Sequence, residues 1–262
     1  MKFTKMQGLG NDYLYVYGEV PENIEELSIR LSDRHFGAGS DGMIYICTSK
    51  MADFKMRVFN ADGSEAKMCG NGSRCVGKYV YDKGYTDKTE ITVETLSGIK
   101  NLKLNVKEGS VKSVSVEMGL SKVEDETEID VADQKVTLTP VSMGNPHVVL
   151  FVDDAEKIPL EVIGPQIEKH SMFPDGVNVE FVSVISDNEI RMRVWERGSG
   201  VTMACGTGAC ASVVASIKKG YCRYDESVFV TLDGGVLEIN VSQDGSVIMK
   251  GPAEIVYNGE IL

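Results

Sequence analysis

In FKMRVF (Phe54–Phe59) apolar and polar residues alternate as in a half-buried strand, and the turn residues of NADG (Asn60–Gly63) follow. The pattern then changes period. NGSRCVGKYVYDKG (Asn71–Gly84) reads as a helix that stops at Gly84. TEITVETLSG (Thr89–Gly98) and LKLNVKEGSVKSVSVEM (Leu102–Met118) return to strands joined by glycine turns. Later the same succession recurs. EIRMRVWERGSG (Glu189–Gly200) is a strand and turn, TGACASVVASIKKG (Thr207–Gly220) a helix, and SVFVTLDGGVLEINVS (Ser227–Ser242) a pair of strands. Pro21–Arg34 and Pro159–His170 are two further helix candidates, each with proline at or near its start.

This recurrence is a duplication. Shifted by 136 positions, Lys55–Tyr85 lies over Arg191–Tyr221 without a gap, so that Met-Arg-Val, Cys-Gly-x-Gly and Lys-Gly-Tyr each coincide. TLSG (Thr95–Gly98) lies over TLDG (Thr231–Gly234), and with a slightly different offset GLGNDYLYVY (Gly8–Tyr17) resembles SMGNPHVVLF (Ser142–Phe151). Two long copies make a duplicated domain rather than a solenoid. The expected class is α+β, with two pseudo-symmetric domains. Each is a mostly antiparallel β-sheet or barrel wrapped around a central helix, and the active site is expected in the cleft between them. Residues 1–118 form the expected first domain, completed by residues 252–262, and residues 119–251 form the second.

Charge and composition narrow the function. The chain has 262 residues, 27 basic and 39 acidic side chains and a formal charge of −12, which argues against nucleic acid or anionic membrane as partner. No apolar run is long enough to span a bilayer, and MKFTKMQGLGNDY lacks the apolar centre of a signal peptide, so a cytoplasmic location is expected. The six cysteines, Cys47, Cys69, Cys75, Cys205, Cys210 and Cys222, then stand as free thiols. None forms a Cys-x-x-Cys pair, and neither the 69/75 nor the 205/210 pair shares a helix face, so no metal site is expected.

Cys69 and Cys205 are different. Each precedes Gly-x-Gly at a predicted helix start, where free N–H groups and the helix dipole lower a thiol pKa and can also hold a carboxylate. One such cysteine suggests a nucleophile. Two, related by a duplication, suggest an acid and a base. One thiolate takes a proton from one face of a carbon and the other thiol returns a proton to the opposite face, with the helix ends stabilising the developing charge. Such a pair would invert a stereocentre with no cofactor.

GLGNDY, FNADGSEAKMCGNGSRC, MGNPH, NVEFV and WERGSGVTMACGTGACAS together resemble the diaminopimelate epimerase family, in order and over nearly the whole chain. The resemblance implies a pyridoxal-phosphate-independent epimerase that interconverts LL- and meso-diaminopimelate for lysine and peptidoglycan synthesis, usually as a cytoplasmic homodimer. It implies Cys69 and Cys205 as the acid/base pair. Backbone N–H groups around Gly70, Asn71, Gly206 and Thr207 would hold the reacting carboxylate. Glu196 and Arg197, with Asn60, Asn145 and Asn178, would hold the far end, and Asn11 would be another substrate contact. His147 and Glu196 match residues that tune the cysteines.

Gly42 stands where some relatives have a substrate-contacting Gln, Gln7 replaces a common His, and Val148 a common Cys. GAGSDG (Gly37–Gly42) has the spacing of a dinucleotide-binding loop, but a helix precedes it and a strand follows, so it reads as a structural loop. Cys47, Cys75, Cys210 and Cys222 read as core residues, and His35 and His170 as surface or capping residues. The alternatives are a sister cofactor-independent racemase or, in another class, a thiol redox or sensor protein. Proline-racemase-like enzymes typically carry MCGHG where this chain has Asn71, and phenazine-type isomerases of the fold lack the cysteine pair.

Overall fold

The computed structural model describes residues 1–131 and 134–261; Leu262, placed by sequence in the segment completing the first domain, lies outside them. The chain divides into two compact units, Met1–Glu117 with Lys250–Leu262, and Met118–Met249.

The first unit contains β1 (Lys2–Gly8), β2 (Asn11–Tyr17), α1 (Ile24–Ser32), β3 (Gly42–Cys47), β4 (Phe54–Asn60), β5 (Glu65–Ala66), α2 (Gly70–Asp82), β6 (Glu90–Thr95), β7 (Gly98–Lys107) and the start of β8 (Ser110–Leu120). The C-terminal strand Glu254–Glu260 pairs antiparallel with β1, and β1 pairs antiparallel with β2. Two crossovers make the sheet mixed: β2 runs parallel to β3 across α1, and β4 runs parallel to β6 across α2. The remaining pairings, β3–β4, β4–β5, β6–β7 and β7–β8, are antiparallel. The turn between β7 and β8 places Glu108 at φ 55° and Gly109 at φ 74°, the left-handed pair a tight hairpin requires.

Met118–Met249 repeats this plan. It contains β9 (Lys122–Val123), β10 (Thr127–Val131), β11 (Gln134–Ser142), β12 (Pro146–Phe151), α3 (Leu160–Glu168), β13 (Asn178–Ser186), β14 (Glu189–Glu196), β15 (Gly200–Val201), α4 (Gly206–Lys218), β16 (Ser227–Leu232), β17 (Gly235–Val241) and most of β18 (Ser246–Gly251). Here β12 is parallel to β13 across α3 and β14 is parallel to β16 across α4. The pairs β11–β12, β13–β14, β14–β15 and β16–β17 are antiparallel, as are their counterparts in the first unit.

Burial explains why simple alternation fails in the central strands. β2 and β3 are buried almost without interruption, because each sheet face is covered by a helix. Leu14, Val16, Met43, Tyr45 and Phe59 pack with Ile24 and Leu31 of α1. On the other face α2 is enclosed by the sheet, packing on β1, β2 and β7, and Asn71–Val80 are all buried. In the second unit Val148, Leu150, Val179 and Phe181 pack with Leu160 and Ile167 of α3. There α4 is the enclosed helix, nearly all of it buried.

Both enclosed helices begin one residue earlier than the sequence pattern suggested and end where Gly84 and Gly220 turn left-handed, at φ 76° and 77°. The outer helices are shorter than expected. The chain leaves helical geometry at Asp33 (φ −57°, ψ 125°), and Pro159 is the residue before the first turn of α3. Cys75, Cys210 and Cys222 are buried and Cys47 is half-buried, whereas His35 is exposed and His170 half-buried. Among the described residues no helix is long and apolar enough to cross a membrane, and no group of three or more His, Cys, Asp or Glu side chains is arranged to hold a metal ion.

Candidate active site

Each Cys-Gly-x-Gly motif folds as a helix cap made by sulfur. Cys69 is extended (φ −133°, ψ 115°) just before α2, and its Sγ accepts from the Gly72 N–H at 3.2 Å. Cys205 does the same before α4 (φ −108°, ψ 110°), accepting from Gly208 N–H at 3.3 Å. A sulfur in this place satisfies one of the free donors of the first turn, as an oxygen cap would. The second glycine of each motif is required by space. A Cβ on Gly72 would lie 2.6 Å from Ile44 Cδ1, and one on Gly208 would lie 2.6 Å from Glu180 Oε1.

In the first unit Asn11 opens β2, and its Oδ1 accepts from Cys69 Sγ at 3.4 Å. The orientation of this carboxamide is fixed from behind. Asn11 Nδ2 donates to Asp41 Oδ2 at 2.8 Å, and Arg34 bridges Asp41 and Asp12, at 2.9 Å to each. An acceptor-only carboxylate on one side leaves the oxygen facing the thiol. Tyr13 lies in hydrogen-bond reach of Asn11 and Cys69, and burial, then Cys69 and Asp41, push its phenol well above the usual range. Asn60 ends β4 opposite Gly42, next to Asp41, and donates to Ser64 Oγ at 3.0 Å. Gly70 and Asn71 form the first turn of α2. Gly42 can be nothing larger, since a Cβ there would lie 2.1 Å from Phe59 O and 2.9 Å from Tyr13 Cε1.

The candidates of the second unit form one connected set. Asn145 Nδ2 donates to Thr207 Oγ1 at 3.3 Å, and Thr207 Oγ1 is 3.6 Å from Cys205 Sγ, with Gly206 between the two. Asn178 Nδ2 donates to Pro146 O at 2.9 Å, and its Oδ1 accepts from Arg197 N at 3.0 Å. Arg197 is exposed and donates through one terminal nitrogen to Asp175 O at 3.1 Å. Glu196 accepts from Thr202 Oγ1 and lies in hydrogen-bond reach of Cys205. Burial raises the Glu196 pKa. His147 Nδ1 lies 2.7 Å from Glu180 Oε1, with both side chains fully buried.

This set corrects one expectation from the sequence. A helix start alone would lower the Cys205 pKa, yet its thiol is pushed well above the ordinary range. Burial is the largest cause, followed by the charges of Glu196 and Glu180; the hydrogen bonds from Thr207 and Gly208 N–H oppose it and are outweighed.

Sequence reasoning missed Asp41, Tyr13 and Glu180. Asp41 sits in the GAGSDG loop, Tyr13 in GLGNDY and Glu180 in NVEFV, so all three lay in quoted motifs without being singled out. The duplication carried the signal for Tyr13 and Glu180. Leu14 is opposite Met43 in the first unit, and Val148 is opposite Val179 in the second, which aligns Tyr13 with His147 and Ile44 with Glu180. Beneath one thiol the fold places a phenol and an isoleucine, and beneath the other an imidazole and a carboxyl group.

The family model for diaminopimelate epimerase matches residues 3–123 and 139–256. The chain is 51% identical over 277 aligned residues to the diaminopimelate epimerase of Methanococcus maripaludis, covering all of this chain and 99% of that protein. It is 50% identical over 279 residues to that of Acetivibrio thermocellus, covering all of this chain and 98% of the relative. The fold recurs in a probable proline racemase from Agrobacterium radiobacter, with a TM-score of 0.76 at 17% identity over all of this chain and 92% of the other. It recurs also in a phenazine biosynthesis protein of the PhzF family from Bacillus anthracis, with a TM-score of 0.79 at 16% identity over all of this chain and 99% of the other. With half of its residues shared from end to end with such relatives, the chain belongs to the diaminopimelate epimerase family.

Proposed function

We propose that the protein interconverts LL- and meso-diaminopimelate by two-base proton transfer at one Cα, with Cys69 and Cys205 as the proton carriers. The observation that carries this reading is the sulfur cap: in a chain of this family, both enclosed helices start on a thiol that already accepts a backbone N–H. One sulfur, as thiolate, removes the Cα proton and becomes a thiol. The other, as thiol, delivers a proton to the opposite face and becomes a thiolate. Protons and charge balance over the turnover, and the roles exchange in the reverse direction.

The N–H groups of Gly70, Asn71, Gly206 and Thr207 are the donors for the reacting carboxylate, whose charge grows as the carbanion forms. Arg197, Glu196, Asn178, Asn145 and Asn60 are the grip for the second amino-acid end, a guanidinium for its carboxylate and an anion for its ammonium. Asn11 is a further substrate contact, and His147 and Glu196 set the protonation of the thiols. The family resemblance supports a cytoplasmic enzyme working as a homodimer.

The test is proton NMR of the reduced protein in heavy water with LL-diaminopimelate and no added cofactor, with proline and histidine alongside. Deuterium at Cα accompanied by growth of the meso form is the expected result. Exchange confined to proline or histidine would move the protein to a sister racemase, and no exchange on any of them would overturn the reading.

A further inference from the structure

The duplication supplies an internal control for the residues around each thiol. Within the two parallel strand pairs, Glu180 of β13 occupies the position held by Ile44 of β3. Both face the first turn of an enclosed helix, since each lies 2.6 Å from the place that a Cβ on Gly72 or Gly208 would take. Ile44 makes that approach with a methyl group and Glu180 with a carboxyl oxygen. One copy fills the place with an apolar side chain, so packing alone does not demand an ionisable one. A fully buried carboxyl group is costly unless it is paired.

Glu180 pairs with His147, at 2.7 Å through Oε1. Among the described residues, Glu180 Oε2 and His147 Nε2 are both buried without a hydrogen-bond partner. A group held under such strain of desolvation, next to a reactive thiol, is the kind of arrangement that function retains. Among the described residues, the groups acting on Cys205 come from Glu180 of β13, Glu196 at the end of β14 and Thr207 and Gly208 of α4 itself, while His147 of β12 stands against Glu180 and acts on Glu196.

We propose that Glu180 is a positioning residue of the reaction: its carboxylate clamps the His147 ring and sets a buried negative charge against the first turn of α4, keeping the proton on Cys205 between turnovers. An imidazole that donates through Nδ1 presents Nε2 as an acceptor, so the clamp also fixes which ring nitrogen is free. Ile44 gives Cys69 no such charge. The two thiols of the duplicated scaffold are thereby made unequal before substrate arrives. The proposal rests on the reading of Cys205 as a proton carrier, and its test is independent of turnover.

The test is an NMR pH titration of protein labelled with [13Cβ]cysteine, with the Cys205 signal assigned by its loss in Cys205→Ser. In the unaltered chain, Cys205 is expected to remain a thiol beyond the ordinary thiol midpoint. Glu180→Gln keeps the shape and removes the charge, and its Cys205 midpoint is expected to fall by about one to three pH units. Glu180→Asp, which keeps the charge, is expected to retain most of the elevation. A midpoint at or below the ordinary value in the unaltered chain would overturn the proposal even if no Glu180 variant folds. So would an unchanged midpoint in a folded Glu180→Gln, which would leave Glu180 a purely structural residue. With diaminopimelate, Glu180→Gln is expected to lower kcat by roughly tenfold with KM little changed. If no amino acid is turned over but the midpoints move as stated, the epimerase reading fails and the charge placement stands.

Discussion

The sulfur cap at Cys205 separates folding from catalysis in one pair of variants. Cys205 is 6% exposed and its Sγ holds the Gly208 N–H at 3.3 Å. Cys205→Ala removes that acceptor, at about 1 kcal/mol for a lost cap. It also deletes a buried heavy atom, for about another 1 kcal/mol. The expected loss is thus about 2 kcal/mol. Cys205→Ser keeps an acceptor for Gly208 N–H within reach of Thr207 and Glu196, and its expected change is about zero. Turnover responds differently, because neither alanine nor serine can carry the proton as a thiol does. Both variants are expected to lose roughly 10²- to 10⁴-fold in kcat. Urea denaturation with a common slope reads the first quantity, and formation of the meso isomer in heavy water reads the second. A serine variant within tenfold of the parent enzyme would refute the proton-carrier role. An alanine variant as stable as the serine variant would refute the claim that sulfur caps α4.

Gly42→Ala forces a Cβ to 2.1 Å from the Phe59 carbonyl oxygen at a φ of 153°, and urea midpoints should show a loss of about 3 kcal/mol; less than 1 kcal/mol would mean the strand moves aside freely. Cys75 is buried and its thiol is pushed up to about 11 by burial, so above about pH 9 the native state holds a proton that the unfolded chain releases. Its contribution to stability is therefore complete below that pH and is lost between about 9 and 11, and Cys75→Ala should reduce the drop from pH 8 to pH 10 by about 1 kcal/mol. An equal drop in both proteins would contradict the assignment. Arg197→Ala should raise KM for diaminopimelate roughly tenfold or more with a smaller change in kcat, read by initial rates; an unchanged KM would remove Arg197 from the substrate grip.

What the sequence disclosed was what depends on neighbours in the chain. The Cys-Gly-x-Gly motifs located both helix starts because capping and glycine clearance are decided within four residues. The duplication was visible because the two enclosed helices and the cysteines that cap them keep the same offset in the chain, although the register of the parallel strands beside them slips by one residue between the units. The sign of the Cys205 shift was not visible. It depends on Glu196 and Glu180, which arrive from two different strands, and their charges with burial outweigh the local helix end. The His147–Glu180 pair was hidden by its 33-residue separation across α3. Asp41 was hidden in a loop that the sequence made look only structural, and it meets Asn11 because β2 and β3 lie side by side. The C-terminal end of α1 was misjudged because the chain turns extended at Asp33, whose carboxylate accepts from His35 N and Phe36 N at 2.7 Å each and so competes with the helix.

The pairing of the C-terminal strand with β1 has a consequence for biosynthesis. The Met1 amino group donates to Ile261 O at 2.7 Å, so segments far apart in the chain are neighbours in the finished unit. Met118–Met249 is continuous in the chain and can close as soon as it leaves the ribosome, whereas the earlier-made segment waits with the β1 edge unpaired until residues 254–260 follow. The half translated first is the half completed last, and during that interval its open strand is the edge that a chaperone, or another nascent chain, would find.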